Sequence, residues 1–473
     1  VRHGFQIGEE AHARVYGKFD YRGEFEPLAP DTTAHDDWRM FRTGTRADWR
    51  LPDDHLTLQG DFYYGELGQR GYQPAYVPPL TRVVDQDVGS RGGNALGRWT
   101  RAFDDGGELQ VQTYYDRFEQ HSRYFDYVLD TFDVSAQHRL PLPARNELVY
   151  GLGYRLASDD TDRTKENLVF APPERQQHLF SVFAQNEWEA VPERLRLIAG
   201  AKLEHHDFIG WQLQPSARLA WTPDERNTVW TAVSRAVRSP SRTERDIILN
   251  LNQQGTAPNG LPIFPRGFGS DAFGEEVLTA YELGWRARVF SWAAFDLTGF
   301  YFDYDDLGSA QVGAPFFEAG NGVPRLIVPL TAINGAAAES AGFEAAFDFE
   351  VDPALRFRAG YSLLHIDVDN PTFAGGGKDP EQQFFLRGSL DLPGDVQFDA
   401  WARYVDGIPG IAVPAYFEVD LRLAWQATRW LEVAVVGQNL CSPDHQEFVS
   451  PGNTVTQATA APRSVYGQFT LRF

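Results

Sequence analysis

Ser464-Val465-Tyr466-Gly467-Gln468-Phe469-Thr470-Leu471-Arg472-Phe473 closes the chain in strict alternation. Successive side chains of a strand point to opposite faces, so Val465, Gly467, Phe469, Leu471 and Phe473 fall on one side. Tyr466, Gln468, Thr470 and Arg472 fall on the other. A last strand that is apolar on one face, polar on the other and aromatic at its end fits the wall of a bacterial outer-membrane β-barrel, where one face meets lipid and the other a polar lumen. As the edge of a soluble sheet it would be a flat hydrophobic template for aggregation, which natural proteins avoid.

Working outward, composition agrees. The 473 residues include 34 Phe, 19 Tyr and 12 Trp, yet 23% are charged and the net charge is −22. No apolar run reaches the roughly 18 residues a spanning helix needs. The mean hydropathy of −0.39 would describe a soluble protein, but a barrel shows lipid only every second residue. A single cysteine, Cys441, excludes an internal disulfide framework and a thiolate metal cluster. The acidic balance argues against nucleic acid as a partner and is compatible with a lipopolysaccharide surface dressed with divalent cations. The chain opens at Val1, its one methionine is Met40, and no leader precedes the first strand; a processed or truncated start is the expectation.

Short turns punctuate alternating runs at Leu51-Pro52-Asp53-Asp54, Asp104-Asp105-Gly106-Gly107, Pro141 to Asn146, Val191-Pro192-Glu193, Thr222-Pro223-Asp224-Glu225, Val289-Phe290-Ser291, Val351-Asp352-Pro353, Leu392-Pro393-Gly394-Asp395 and Gln426 to Arg429. Between them lie pairs of strands joined by longer Gly/Pro/Asp-rich segments, among them Tyr64 to Gly93, Arg238 to Glu276, Asp305 to Ser340 and Asp369 to Gln382. Short turns at one end and long loops at the other is the outer-membrane arrangement.

The alternation places Phe417, Val419, Leu421, Leu423 and Trp425 against Glu418, Asp420, Arg422 and Ala424. It likewise places Phe343, Ala345, Phe347 and Phe349 against Glu344, Ala346, Asp348 and Glu350. Tyr281, Leu283, Trp285 and Ala287 oppose Glu282, Gly284 and Arg286, and Leu195, Leu197, Ala199, Ala201 and Leu203 repeat the scheme. Charges therefore point inward. Trp49, Trp221, Phe349 and Trp425 each sit on the apolar face near a short turn, as an aromatic girdle requires. Nine turns give roughly twenty strands from His12 onward, and Val1 to Gly8 adds one, with Val1, His3, Phe5 and Ile7 on one face. About twenty-one is odd, whereas single-chain bacterial barrels are even. The expectation is an all-β, transmembrane antiparallel β-barrel of the 22-stranded type over residues 1–473, lacking its first strand. The seam beside Phe473 should then show a gap, or a parallel pairing with Val1 to Gly8.

Several segments, in order along the chain, carry a resemblance. These are Arg14-Val15-Tyr16-Gly17-Lys18, Gly93-Asn94-Ala95-Leu96-Gly97-Arg98-Trp99, Gln214-Pro215-Ser216-Ala217-Arg218 and Ser234-Arg235-Ala236-Val237-Arg238-Ser239-Pro240-Ser241. Tyr281-Glu282-Leu283-Gly284, Gly437-Gln438-Asn439-Leu440 with His445 and Glu447-Phe448, and the terminal Phe473 complete the set. Together they resemble the TonB-dependent outer-membrane receptor family over essentially the whole chain. The resemblance implies a receptor that takes up a scarce nutrient across the bacterial outer membrane, most commonly a ferric siderophore or other iron chelate. Cobalamin and oligosaccharides remain open, as do a passive porin-like channel and a surface adhesin or phage receptor. It implies no enzyme and no cofactor. Its partners would be outer-membrane lipid and lipopolysaccharide, the barrel-assembly machinery reading Phe469, Leu471 and Phe473, and an extracellular small molecule. The TonB energy-transducing complex would act through an amino-terminal plug and box. Of these parts only the barrel is expected in this chain, so the inward charges Glu282, Arg286, Glu344, Asp348, Asp420 and Arg422 would have lost their partner surface.

Candidate sites are few. His365, Asp367 and Asp369 share a face, and His205-His206-Asp207 lies where a strand meets an outer loop; each set could supply metal ligands, with polar rim residues the commoner explanation. Asp303, Asp305 and Asp306, expected near an outer loop, could hold calcium or simply be a solvated acidic stretch. Phe264, Phe268, Phe316 and Phe317 could stack on a ligand in an outer vestibule or pack the loops together. Arg235 and Arg238 could pair with loop carboxylates or lipopolysaccharide phosphates. No Ser/His/Asp triad, phosphate loop or CxxC motif occurs at usable spacing.

Overall fold

The computed structural model describes residues 1–28, 32–161, 167–320, 322–369, 378–449 and 457–472. Its main sheet has 25 strands. Four are short strands of the outer segments: Leu168–Phe170, Ile247–Asn250, Ile263–Phe268 and Phe316–Glu318. The other twenty-one form the wall, each antiparallel to its predecessor, from Arg2–Ile7 and Ala11–Arg22 to Leu431–Gln438 and Ser464–Leu471. The strand number matches the reading of the sequence. All nine short turns fall where the sequence places them, and Gly8 to Glu10 supplies a tenth. Tight reversal between twisted strands calls for left-handed backbone, which Ala144 and Arg145 supply at φ 59° and 60°, and Gly394 and Asp395 at 82° and 59°.

Alternation sorts the side chains as lipid demands. On the outer face Leu283 is 60% exposed, Leu423 51% and Phe469 72%, whereas Glu418, one residue before Val419 on the opposite face, is 0% exposed. The girdle residues Trp49, Trp221, Phe349 and Trp425 are joined by Trp188 and Trp285 toward the turn ends of their strands and by Trp292 and Trp430 in the turns themselves. Among the described residues, a buried apolar cluster of the soluble kind amounts to Ile408, Ile411 and Val413, with Val449 packed against them. The wall is therefore held by its hydrogen-bond ladder and by lipid, since apolar side chains facing hydrocarbon need no interior.

Two points refine the reading of the sequence. Four of the six inward charges have partners in the wall itself: Arg286 pairs with Asp296 at 2.6 Å, Asp348 with Arg358 at 3.5 Å, Asp420 with Arg403 at 2.7 Å, and Arg422 with Asp399 and Glu432 at 3.0 and 2.6 Å. Facing strands bring opposite charges into register, so the wall neutralises much of its own inner surface. Second, Tyr64 to Gly93 and Asp305 to Ser340 are not long loops. Asp54–Pro74 and Thr81–Ala102 pair along their whole length, leaving only 75–80 between them, and Ala293–Val312 pairs with Arg325–Asp352. Above the lipid neither face of a strand must be apolar, so the alternation fades while the backbone ladder continues. A 22-residue strand far exceeds the roughly 9–11 residues needed to span, so these hairpins stand well above the membrane.

Among the described residues, Arg2–Ile7 pairs only with Ala11–Arg22, and Ser464–Leu471 only with Leu431–Gln438. As first and last of an odd alternating series they run in the same direction and leave the expected gap. The outer segments lace over it. Glu26–Pro27 pairs with Thr459–Pro462, which in turn pairs with Asp444–His445. Gln457 donates its amide to the Arg70 carbonyl at 3.0 Å and its Nε2 to Thr32 Oγ1 at 2.9 Å.

Candidate functional site

Residues 239–275 leave the wall at Arg238 and return at Glu276. Ser241 opens this segment by capping the five-residue helix Arg242–Asp246: its Oγ accepts the Thr243 amide at 3.2 Å, and Glu244 Oε2 accepts the Ser241 amide at 2.7 Å, a reciprocal capping box. The cap fixes the helix so that Arg242 points into its neighbours, where it is 7% exposed. Its Nε donates to Asp246 Oδ2 at 2.8 Å, and its other nitrogens donate to Asp159 and to the carbonyls of Pro172 and Pro173. Asp246 also accepts from Arg175 Nη2 at 2.8 Å. Two carboxylates and two guanidinium groups thus form a neutral cluster, the condition under which charge can be buried. It ties the outer end of strand Asn146–Thr161 to segment 167–173 and to the helix. Arg175 and Arg245 each lie over the Phe208 ring, at 5.1 and 4.9 Å.

A second brace stands on the far side. Glu318 accepts from both terminal nitrogens of Arg266 at 3.0 and 3.1 Å and from Arg325 Nε at 2.7 Å. Arg325 lies 3.7 Å over the Tyr76 ring, and Tyr76 meets Phe264 edge-on at 5.2 Å. Hydrogen bonding to Arg266, helped by Arg325, holds the Glu318 carboxyl below the ordinary glutamate value of 4.5. A carboxyl lowered on folding stabilises the folded arrangement above the ordinary range and ceases to do so as pH falls through its own lowered value. Loosening of this brace is therefore expected only below pH 4.5. The check is exchange of the Val323 amide, bonded to the Tyr76 carbonyl at 2.6 Å, corrected for its intrinsic rate. Protection should fall through that acid range in the native chain and be low and pH-independent in Glu318→Gln.

Between the braces lies a cavity of about 380 Å³, inside the size range of small-molecule pockets. Tyr72, Tyr124, Phe125, Leu168, Leu249 and Leu251 supply its apolar lining. Leu168 and Leu249 face each other across the paired short strands. Tyr124 and Phe125 are presented by a tight turn, with both amides donating to Ser122 Oγ at 3.2 and 3.1 Å and that hydroxyl donating to the Phe125 carbonyl at 2.8 Å. Asn252 belongs to the same lining, and its buried Oδ1 accepts no hydrogen bond among the described residues. Below, a larger recess of about 780 Å³ follows the wall, with Arg286, Glu344, Arg358, Phe385, Trp401 and Arg403 among its lining. Register puts Trp401 opposite Asp420 and Arg387, so this ring faces the lumen and not lipid.

The residues singled out from sequence separate. Phe264 is 1% exposed and packs the outer segments together, and Phe268 is half-buried in a paired strand; Phe316 and Phe317 are exposed on the short strand Phe316–Glu318. None of the four is in the lining of the smaller cavity. His205 and His206 turn to different rings, Trp211 at 4.9 Å and Phe208 at 5.2 Å, while Asp207 accepts the His178 amide at 2.7 Å. His365 lies 3.7 Å from Glu381, with Asp367 and Asp369 further along the same strand. Asp303, Asp305 and Asp306 belong to strand Ala293–Val312 and not to a loop. Arg238 pairs with Glu276 and Glu244, while Arg235 donates to the Leu213 carbonyl at 2.7 Å. Phe469 and Leu471 face outward at 72% and 58% exposure; Phe473 lies outside the described residues.

Comparison with known proteins gives consistent matches. The family model described as TonB dependent receptor-like, beta-barrel, matches residues 8–440. A ferric enterobactin receptor of Pseudomonas aeruginosa is 30% identical over 108 residues, covering 22% of this chain and 14% of the relative. An iron-regulated outer membrane virulence protein of Vibrio cholerae is 25% identical over 194 residues, 41% of this chain and 28% of that one. The matches thus span well under a third of each curated relative. The crystal structure of the siderophore receptor PirA from Acinetobacter baumannii superimposes with a TM-score of 0.81 at 13% identity, covering 100% of this chain and 77% of that one.

Proposed function

Since the chain belongs to the TonB-dependent receptor β-barrel family, and so to the outer membrane, we propose that it captures a ferric siderophore or other iron chelate at the cell surface for TonB-coupled uptake into the periplasm. The observation that carries this reading is the aromatic and aliphatic cavity at the outer mouth of a barrel of this family, between two ion-paired braces. Rings and leucines offer faces to a bulky chelate, and the amide of Asn252 offers a polar group to orient it. In this reading the barrel-assembly machinery takes up the outward Phe469 and Leu471 strand, and lipopolysaccharide surrounds the outer rim. The iron-related names of the two curated relatives favour an iron chelate over cobalamin or oligosaccharide.

Binding is measurable through quenching of intrinsic tryptophan fluorescence by ferric enterobactin and ferric hydroxamate chelates. Joint replacement of Tyr124 and Phe125 by alanine is expected to weaken the preferred chelate about 30-fold, the loss of roughly 2 kcal/mol typical of buried aromatic anchors. Unchanged affinity would remove the cavity from the binding site. Expression indifferent to iron supply would count against the iron reading, and high ion conductance of the parent protein in planar bilayers would favour a passive pore.

A further inference from the structure

The outer segments 23–28 and 32–37 bring together a cluster of side chains able to ligate a metal. Glu24, His35 and Asp37 each offer one ligand atom, and these atoms lie within 4.8 Å of one another. Asp87, on strand Thr81–Ala102, places Oδ1 3.5 Å from His35 Nε2. Three carboxylates thus surround one imidazole. Arg70, which feels the charge of Glu24, is held by Asp85 at 2.6 and 2.7 Å and by the Thr33 carbonyl at 2.9 Å.

The backbone is arranged around the cluster. His35 sits at φ 48°, a left-handed conformation that costs any residue with a β-carbon. Gly68 donates its amide to the Asp37 carbonyl at 2.8 Å. A β-carbon at position 68 would come within 2.8 Å of the His35 carbonyl oxygen and 3.0 Å of Asp37 Oδ1, so only bare backbone leaves room for the carboxylate. One imidazole nitrogen with carboxylate oxygens is a donor set suited to zinc; calcium takes oxygen ligands alone and more of them.

We propose that Glu24, His35 and Asp37 form a Zn²⁺ site at the outer rim, with Asp87 beside the imidazole as its charge partner. The ion joins residues 24, 35 and 37, and the His35–Asp87 pair ties them to the tall hairpin of Asp54–Pro74 and Thr81–Ala102. Segment 23–28 contributes Glu26–Pro27 to the pairing that laces the outer end of the seam, so zinc also steadies that lacing.

The test is Zn²⁺ titration of the full chain in detergent, in competition with a chromophoric chelator, with Ca²⁺ in parallel. A single equivalent of Zn²⁺ is expected to bind. His35→Ala should weaken it by at least about tenfold, and Asp87→Asn should weaken it by less. Zn²⁺ should slow proteolysis within 23–37 in the native chain and leave His35→Ala unaffected. Equal zinc affinity in the native chain and His35→Ala would overturn the proposal, as would Ca²⁺ binding as tightly as Zn²⁺. Unchanged far-ultraviolet circular dichroism ensures that the variants are compared as folded barrels.

Discussion

Replacing Arg242 by leucine is expected to open the outer segments while leaving the wall folded. The native guanidinium satisfies Asp246, Asp159 and two proline carbonyls at once, and the side chains of Asp159 and Asp246 are each only 2% exposed. Leucine fills similar space but leaves Asp159 without its charge partner. Breaking a buried pair from one side costs about 3–5 kcal/mol, enough to release the helix Arg242–Asp246 and the paired strands Leu168–Phe170 and Ile247–Asn250, which join it through short connections. Leu168 and Leu249 would move with them, so chelate binding should be lost. Hydrogen exchange should show lost protection across residues 167–170 and 242–250, with the wall strands unchanged. Protection retained in those segments would mean that the cluster is not what holds them. Removing charge throughout, with Asp159→Asn and Asp246→Asn added to Arg242→Leu, should recover part of the protection, since no unpaired ion is then buried.

The second large effect tests which face of the wall meets lipid. Leu283→Arg places a charge on the outer face near the middle of strand Glu276–Phe290, where the native side chain is 60% exposed. A cation at the bilayer midplane costs about 2–4 kcal/mol. Glu282→Arg, one residue earlier on the lumen face, exchanges one hydrated charge for another and should cost little. Refolding yields in lipid vesicles, read by heat-modifiable mobility on gels, should therefore separate two neighbouring substitutions to the same residue. Equal yields would contradict the assignment of faces.

The wall was legible because two physical requirements write themselves into a chain: lipid demands apolar residues at every second position, and tight reversals demand turn residues. Leu283, Leu423 and Phe469 follow from the first, and the turns at 143–145 and 393–395 from the second. Where lipid ends, so does the first signal. Residues 64–74 and 81–93 remain in strands with no apolar stripe, which is why they resemble a loop in sequence. The cavity was harder. Tyr124 and Phe125, adjacent rings in a four-residue connection, were passed over among the sequence candidates, and Leu168, Leu249 and Leu251 become their neighbours only when the Arg242 cluster draws separate segments together. Phe264 takes the second of the two roles its sequence left open, an aromatic residue of a long outer segment spent on packing that segment against Tyr76.

The paired charges lining the lumen bear on how fast anything could travel along it. Arg286, Arg403 and Arg422 are already engaged by carboxylates of facing strands. Under the proposed uptake of an iron chelate, an anionic cargo would meet compensated dipoles, each a shallow well, in place of a ladder of bare cations that would arrest it at every rung, and its residence time would be concentrated at the aromatic mouth.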